Sequence, residues 1–206
     1  PTGWIMKAFL SWFYNQLKNA FIIQPVGQDE FGEVFEKQNG QGALIQGINL
    51  EARANFNRAI QVEGGYTIQS SKFGSAVEYI EGISPIREFI RTPKNYGYAI
   101  LNFTKNNISS TLNYLYSGSM KILHFAGAPY QSVDEIVNTD SFSELSLKFN
   151  YSFPTEMVLM DIYAGVKNIF NQYQSDFDVG KNRDSNYIYG PAQPRTTYFG
   201  VKLSFN

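Results

Sequence analysis

Apolar and polar residues take turns along most of this chain, and the alternation is cleanest from Ser141 to Phe153. Ser143, Leu145, Leu147, Phe149, Tyr151 and Phe153 share one face there, and Glu144, Ser146, Lys148, Asn150 and Ser152 share the other. A period of two is the signature of a strand that is wet on one side only. The final segment repeats it, with Phe199, Val201, Leu203 and Phe205 opposed to Tyr198, Gly200, Lys202 and Ser204. Val158 to Lys167, Ile48 to Phe56 and Ile60 to Ile68 read the same way, and Asn95 to Lys105 and Asn107 to Met120 do so less regularly. In the opening stretch, Trp4 to Lys18, Ala8, Leu10, Trp12 and Tyr14 form one face while Phe9 and Phe13 sit on the other. The pattern predicts eight strands and no helix.

Short and long connections alternate between these strands. Tight turns fall at Asn57-Arg58, at Lys105 to Asn107 and at Pro154 to Glu156. Long Gly- and Asn-rich connections run from Asn19 to about Gly42, Ser70 to about Lys94, Gly118 to Asp140 and Gln172 to Pro194. An antiparallel transmembrane β-barrel segment produces this asymmetry, with short periplasmic turns, long extracellular loops and strands of roughly 9 to 11 residues or more. Trp4, Tyr151, Phe153, Tyr198 and Phe205 then suit aromatic girdles at the membrane interfaces. A soluble β-sandwich alternates likewise, but its strands are usually shorter and its turn lengths do not sort by end.

Composition sharpens this picture in three respects. The 14 Tyr and 17 Phe against 2 Trp bring aromatics to 16%, a bias toward strands. A formal net charge of -1 with no basic run argues against nucleic acid as a partner. The absence of cysteine removes disulfides, thiolate metal sites and thiol nucleophiles. The mean hydropathy of -0.27 is uninformative, because a barrel strand shows lipid only every second residue. The start, Pro1-Thr2-Gly3-Trp4, has neither initiator Met nor signal-peptide pattern and reads as a truncation.

Chemistry for catalysis is not assembled along the chain, so no catalytic residue, metal site or cofactor is expected. The single histidine, His124, lies in a long connection and reads as a surface or loop-packing residue. Asp176 to Asp184 resembles a calcium loop only loosely, since Gly180 falls one residue early and Tyr187 stands where a bidentate Glu belongs. Asp134-Glu135 would point to opposite sides if extended, which does not suit acid and base catalysis. Function is therefore expected in the loops, where tyrosines and arginines on a rigid scaffold bind amphipathic ligands. The candidates are Tyr79, Arg87, Arg91, Tyr130, Arg183, Tyr187 and Tyr189, each of which could instead simply pack loop against loop.

The C-terminal region adds family motifs. Ala164-Gly165-Val166-Lys167-Asn168-Ile169-Phe170-Asn171, then Tyr189-Gly190-Pro191-Ala192-Gln193-Pro194-Arg195, then Gly200-Val201-Lys202-Leu203-Ser204-Phe205, resembles the end of TonB-dependent receptors. There an Asn-Leu-Phe-Asn-like motif closes the penultimate strand, and a Pro-Arg or Gly-Arg step leads into a closing strand with a terminal aromatic. Ile45 to Ala52 is similar to that family's Gly-x-Glu-hydrophobic-Glu strand, with Asn49 at a usually acidic position, and Phe13-Tyr14-Asn15 is similar to its Phe-Tyr-Asn strand end. Asn206 after Phe205 departs from the family's usual ending.

The resemblance implies that residues 1–206 are the C-terminal part of a 22-stranded barrel, with the plug domain and earlier strands outside this chain. It also implies active uptake of a large nutrient, such as an iron-siderophore, a corrinoid or a glycan fragment, across the outer membrane of a Gram-negative bacterium. The implied partners are outer-membrane lipid, the TonB energy-coupling protein acting through the plug, the barrel assembly machinery, and the nutrient itself. Phe199, Val201, Leu203 and Phe205 would form the lipid-facing, assembly-directing strand. Two other readings compete: a complete eight-stranded barrel with a structural or adhesive role, and a secreted carbohydrate-binding sandwich.

Overall fold

The computed structural model describes residues 3–205, so the Pro1-Thr2 start and the terminal Asn206 lie outside the described residues. Eight long strands form one antiparallel meander: β1 (Trp4–Leu17), β4 (Ala43–Phe56), β5 (Ile60–Val77), β7 (Asn95–Lys105), β8 (Ile108–Ser117), β11 (Phe142–Pro154), β12 (Val158–Lys167) and β13 (Thr196–Phe205). Among the described residues each pairs with its neighbours in that order, β5 also taking a short extra strand at its far end, and β1 and β13 are the two ends of the path. The eight strands read from alternation are all present. A self-closed eight-stranded barrel would need β1 to pair with β13, and the sheet is instead open at both.

The register explains the alternation. Trp4 stands opposite Phe56, Met6 opposite Ala54 and Leu10 opposite Leu50. Leu50 in turn faces Tyr66, Val62 faces Leu101, and Leu101 faces Leu112. Leu112 faces Leu147, Tyr151 faces Ile162, and Ile162 faces Val201. Because side chains directly opposite each other lie on the same side of a sheet, one apolar face runs unbroken across all eight strands. It holds the less regular opening strand too, where Phe9 and Phe13 simply fall on the other side.

That second face is mostly polar and cross-linked by side-chain hydrogen bonds. Thr67 donates to Asn49 at 3.0 Å, Asn49 to Glu51 at 2.8 Å and Thr111 to Asn102 at 2.8 Å, while Arg53 and Glu63 stand 3.9 Å apart. The Lys148 ammonium lies 5.1 Å from the Tyr163 ring centre. Tyr163 and Tyr198 each lie across a glycine of the neighbouring strand, Gly200 and Gly165, where an added Cβ would collide with the phenol. Glycine here makes room for an aromatic cover over the ladder.

Tight turns close one end. Asn57 and Arg58 both take left-handed backbone, at φ 46° and 60°, and Ala59 donates back to Phe56. Positive φ at both central residues defines the hairpin turn whose twist matches its strands. The long connections at the other end are more ordered than their composition suggests. The first contains a hairpin of β2 (Phe21–Asp29) and β3 (Gly32–Asn39), and the third a hairpin of β9 (Lys121–His124) and β10 (Glu135–Asn138). The expected boundary at Ser70 is also exceeded: β5 continues to Val77, paired with β6 (Ile86–Glu88), and Phe73 packs on Phe89 with ring centres 4.3 Å apart.

Burial is distributed as a membrane wall requires. Leu10, Trp12 and Phe199 on the apolar face are 74%, 68% and 88% exposed, and the hydrophobic core cluster of Ile122, Tyr187 and Tyr189 lies in the loops beyond the sheet. A sandwich would bury its apolar face against a second sheet, and among the described residues the only other sheets are the two loop hairpins. Trp4 to Tyr14 on β1 spans ten residue steps, or about 33 Å at ~3.3 Å per residue, which a strand tilt of ~40° reduces to about 25 Å of membrane thickness. An arginine in place of Leu147, midway along β11, should destabilise the protein in bilayers by about 2–4 kcal/mol. Lys148→Arg on the polar face should be near neutral; urea titration of folding into vesicles measures both.

Candidate functional site: the extracellular loop cluster

The elaborated end of the sheet is organised around residues 168–195, which join β12 to β13. Asn168, 1% exposed and at φ 48°, donates its amide to the carbonyls of Gln172 (2.7 Å) and Gln193 (2.9 Å) and accepts from the Gln172 N–H at 3.0 Å. Asn171, also left-handed, accepts the Arg195 N–H at 2.8 Å, and Arg195 Nε donates to the Ile169 carbonyl at 2.9 Å. Both asparagines of the Asn-Ile-Phe-Asn motif thus join the two ends of the loop. Asparagine suits the position because it tolerates left-handed backbone and carries donors and an acceptor together.

Within the loop a single carboxylate gathers two phenols. Tyr187 and Tyr189 each donate to Asp176 at 2.6 Å, one to each oxygen. Gln174 accepts from the Tyr189 N–H at 3.0 Å and donates to the Tyr187 carbonyl at 3.2 Å. Burial opposes ionisation of Asp176, but hydrogen bonds from Tyr187, Tyr189 and Gln174 outweigh it and hold the carboxyl below its ordinary range. Burial and the same bonds push both phenols well above theirs.

His124 completes the knot. Its Nε2 faces both oxygens of Asp178 at 3.0 and 3.1 Å, and its ring stacks on Tyr187 with centroids 3.5 Å apart. It is a buried loop-packing residue joining β9 to the β12–β13 loop. Asp178 also accepts the Asp184 N–H, and Asp184 accepts from Phe125 and Asn186. The carboxylates that loosely resembled a calcium loop therefore serve different donors, and among the described residues no three metal-ligating side chains converge.

The other candidate residues are dispersed. Arg91 donates to the carbonyls of Ile188 (3.0 Å) and Asn186, so it ties the β6–β7 crossing to the Tyr187–Tyr189 segment. Tyr79 donates to the Glu88 carbonyl at 3.2 Å and Arg87 to the Phe73 carbonyl at 3.0 Å, both beside the upper end of β5. Tyr79 also borders an apolar cavity of about 360 Å³ with Phe73, Phe89 and Leu123. Tyr130, 95% exposed, and Arg183 project to solvent apart from that group. Sequence reasoning gave Gln174 and Ile122 no role and weighed Asp176 only within a loose calcium loop; the importance of all three lies in long-range partners that no local pattern reveals.

Comparison with known proteins places this arrangement. A family model described as TonB dependent receptor-like, beta-barrel matches residues 2–169. The fold is similar to a ferric-catecholate import receptor, Fiu, from E. coli K12 (22% identity, 97% of this chain and 25% of that one, TM-score 0.60). It is also similar to a copper transporter, OprC (15% identity, 97% and 29%, TM-score 0.66), and to a siderophore receptor, PirA, from Acinetobacter baumannii (17% identity, 98% and 29%, TM-score 0.62). The chain thus spans roughly a quarter of the length of these structures. No curated protein matches it.

Two expected outcomes follow from the clasp and the knot. Asn168→Ala, which leaves the half-buried Gln172 N–H and two carbonyls without their Asn168 partner, should cost about 1–3 kcal/mol and raise amide exchange in residues 168–195. Asp176 ionises more readily folded than unfolded, so its contribution is complete above the ordinary aspartate range and is lost as pH falls through the lower, folded value. The phenols act oppositely: their contribution is complete below about pH 10 and is lost as pH rises through their raised values. Protection of the loop amides, with the pH dependence of intrinsic exchange divided out, should therefore hold level from weak acid to weak alkali and fall at both extremes. Asp176→Ala should abolish the protected plateau.

Proposed function

Since the chain belongs to the TonB-dependent receptor family by its β-barrel, we propose that it forms the C-terminal strands of an outer-membrane importer in a Gram-negative bacterium. The observation that carries this reading is the register, which sends the apolar residues of eight long strands to one face and polar residues to the other. A closed barrel is one of two ways to satisfy every backbone group in lipid, so the open edges of β1 and β13 are where further strands complete the wall. The polar face then lines the lumen around a plug, and Phe199, Val201, Leu203 and Phe205 on β13 meet lipid and direct assembly by the barrel machinery.

The cargo in this reading is a nutrient too large for a porin: an iron-siderophore, a corrinoid or a glycan fragment. The named cargoes of the similar structures, ferric catecholates, copper and siderophores, support a metal complex first. Energy comes from the TonB protein through the plug. The wall itself does no chemistry: the loops of Tyr79, Arg87, Arg91, Tyr130, Arg183, Tyr187 and Tyr189 meet the ligand, with exposed Tyr130 and Arg183 making first contact. Tyr187 and Tyr189, their hydroxyls committed to Asp176, hold the loop in shape.

Spin labels at Leu145, Leu147, Val201 and Leu203 in bilayers test the reading. Strong relaxation by oxygen with little by a water-soluble relaxer is the expected result. Protection from both reagents would place these residues in a dry protein core and sink the importer.

A further inference from the structure

One open pocket at the outer edge of the membrane band gathers uncompensated positive charge. It measures about 540 Å³ and is bordered by Lys72 and Ser70 of β5, Glu88 of β6, Lys94 ahead of β7, and Ser119 and Lys121 at the start of β9. Three ammonium groups against one carboxylate leave its lining at +2, in a chain whose formal net charge is -1. The cluster is therefore a local concentration of charge, not a reflection of a basic protein.

The lysines are held by backbone and left without partners. Gln69 N–H donates to the Lys94 carbonyl at 2.8 Å, Arg91 N–H to the Lys121 carbonyl at 2.7 Å, and Lys72 stands opposite Glu88 in the β5–β6 ladder. Four separate segments thus border one space from fixed backbone positions. Among the described residues the ion pairs are Arg53 with Glu63 and His124 with Asp178, so no lysine of the cavity is within 4.0 Å of a carboxylate. Glu88 is held below the ordinary glutamate range first by a backbone hydrogen bond, against some burial, and then by Lys121, Lys72 and Lys94. One resident carboxylate already feels all three cations. Like charges gathered without ion pairing repel one another, and an oxyanion relieves that repulsion while serine hydroxyls supply neutral donors.

We propose that this cavity is an oxyanion subsite that binds a phosphate or polycarboxylate group, with Lys72, Lys94 and Lys121 as the cationic ligands and Glu88 as the counter-charge that limits affinity. The oxyanion belongs either to a soluble nutrient arriving at the loops or to a phosphorylated lipid headgroup of the outer leaflet. This rests on the importer reading for the ligand's onward route and for the outer-leaflet source.

The test uses the full-length receptor in neutral detergent, titrated calorimetrically with citrate and with inorganic pyrophosphate. A parallel arm measures retention of bisphosphorylated lipid A in nanodiscs. At least one probe should bind the unaltered receptor and weaken with added salt. Lys121→Gln should reduce its affinity roughly tenfold and Lys72→Gln with Lys121→Gln roughly a hundredfold, while Glu88→Gln should tighten it several-fold. Strand content by circular dichroism confirms that the variants fold. Lysine-dependent binding of a soluble anion assigns the site to a nutrient, and lysine-dependent retention of lipid A alone assigns it to the leaflet. Binding of every probe that is absent or indifferent to the lysines overturns the subsite. Cellular nutrient uptake that persists in the lysine variants would then leave the importer reading standing, whereas lysine-dependent binding by a receptor that imports nothing would leave the subsite and remove the importer.

Discussion

Everything in this chain depends on the continuous antiparallel ladder from β1 to β13. Each backbone N–H and C=O in a lipid-facing wall must find a partner within the protein, because hydrocarbon offers none. Once the ladder is paired, strand period and register decide which side chains share a face, and a slip of one residue in any pair would turn that strand's apolar set toward the lumen. The chain keeps one register through seven successive pairings, with Trp4 facing Phe56 at one edge and Phe205 facing Val158 at the other. The same dependence explains the polar face. Thr67, Asn49 and Glu51 satisfy one another because the ladder sets them side by side.

Loops of this length carry a physical problem of their own, since ordering them costs backbone entropy that a small core must offset. The solution is a set of nested ties. Asn168, Asn171 and Arg195 draw the ends of the last loop together, so that only the segment between them remains to be ordered. Inside it, Asp176 satisfies two phenols whose rings pack on Ile122 and Phe142, and His124 and Arg91 bind the same segment to neighbouring loops. Burial of polar groups is tolerable there because each has its partner.

The same ties divide the tyrosines and arginines of the loops by role. Tyr187, Tyr189 and Arg91 have their polar groups engaged within the protein, while Tyr130 and Arg183 keep theirs in solvent. Positive charge is concentrated elsewhere, at Lys72, Lys94 and Lys121.

The sequence by itself determined the eight long strands, the trimmed and elaborated ends and the two faces of the sheet, because a period of two is a local property that needs no knowledge of partners. Its Asn-Ile-Phe-Asn and Pro-Arg motifs marked the close of the last loop, although not the hydrogen bonds that make them useful. Only the tertiary structure decided the rest. It found strands inside the long connections and carried β5 past Ser70 by pairing it with β6. It also joined Asp176 to Tyr187 and Tyr189, His124 to Asp178, and three distant lysines to one cavity. These are encounters between segments far apart along the chain, and they exist only after the ladder has fixed where each strand delivers its loop.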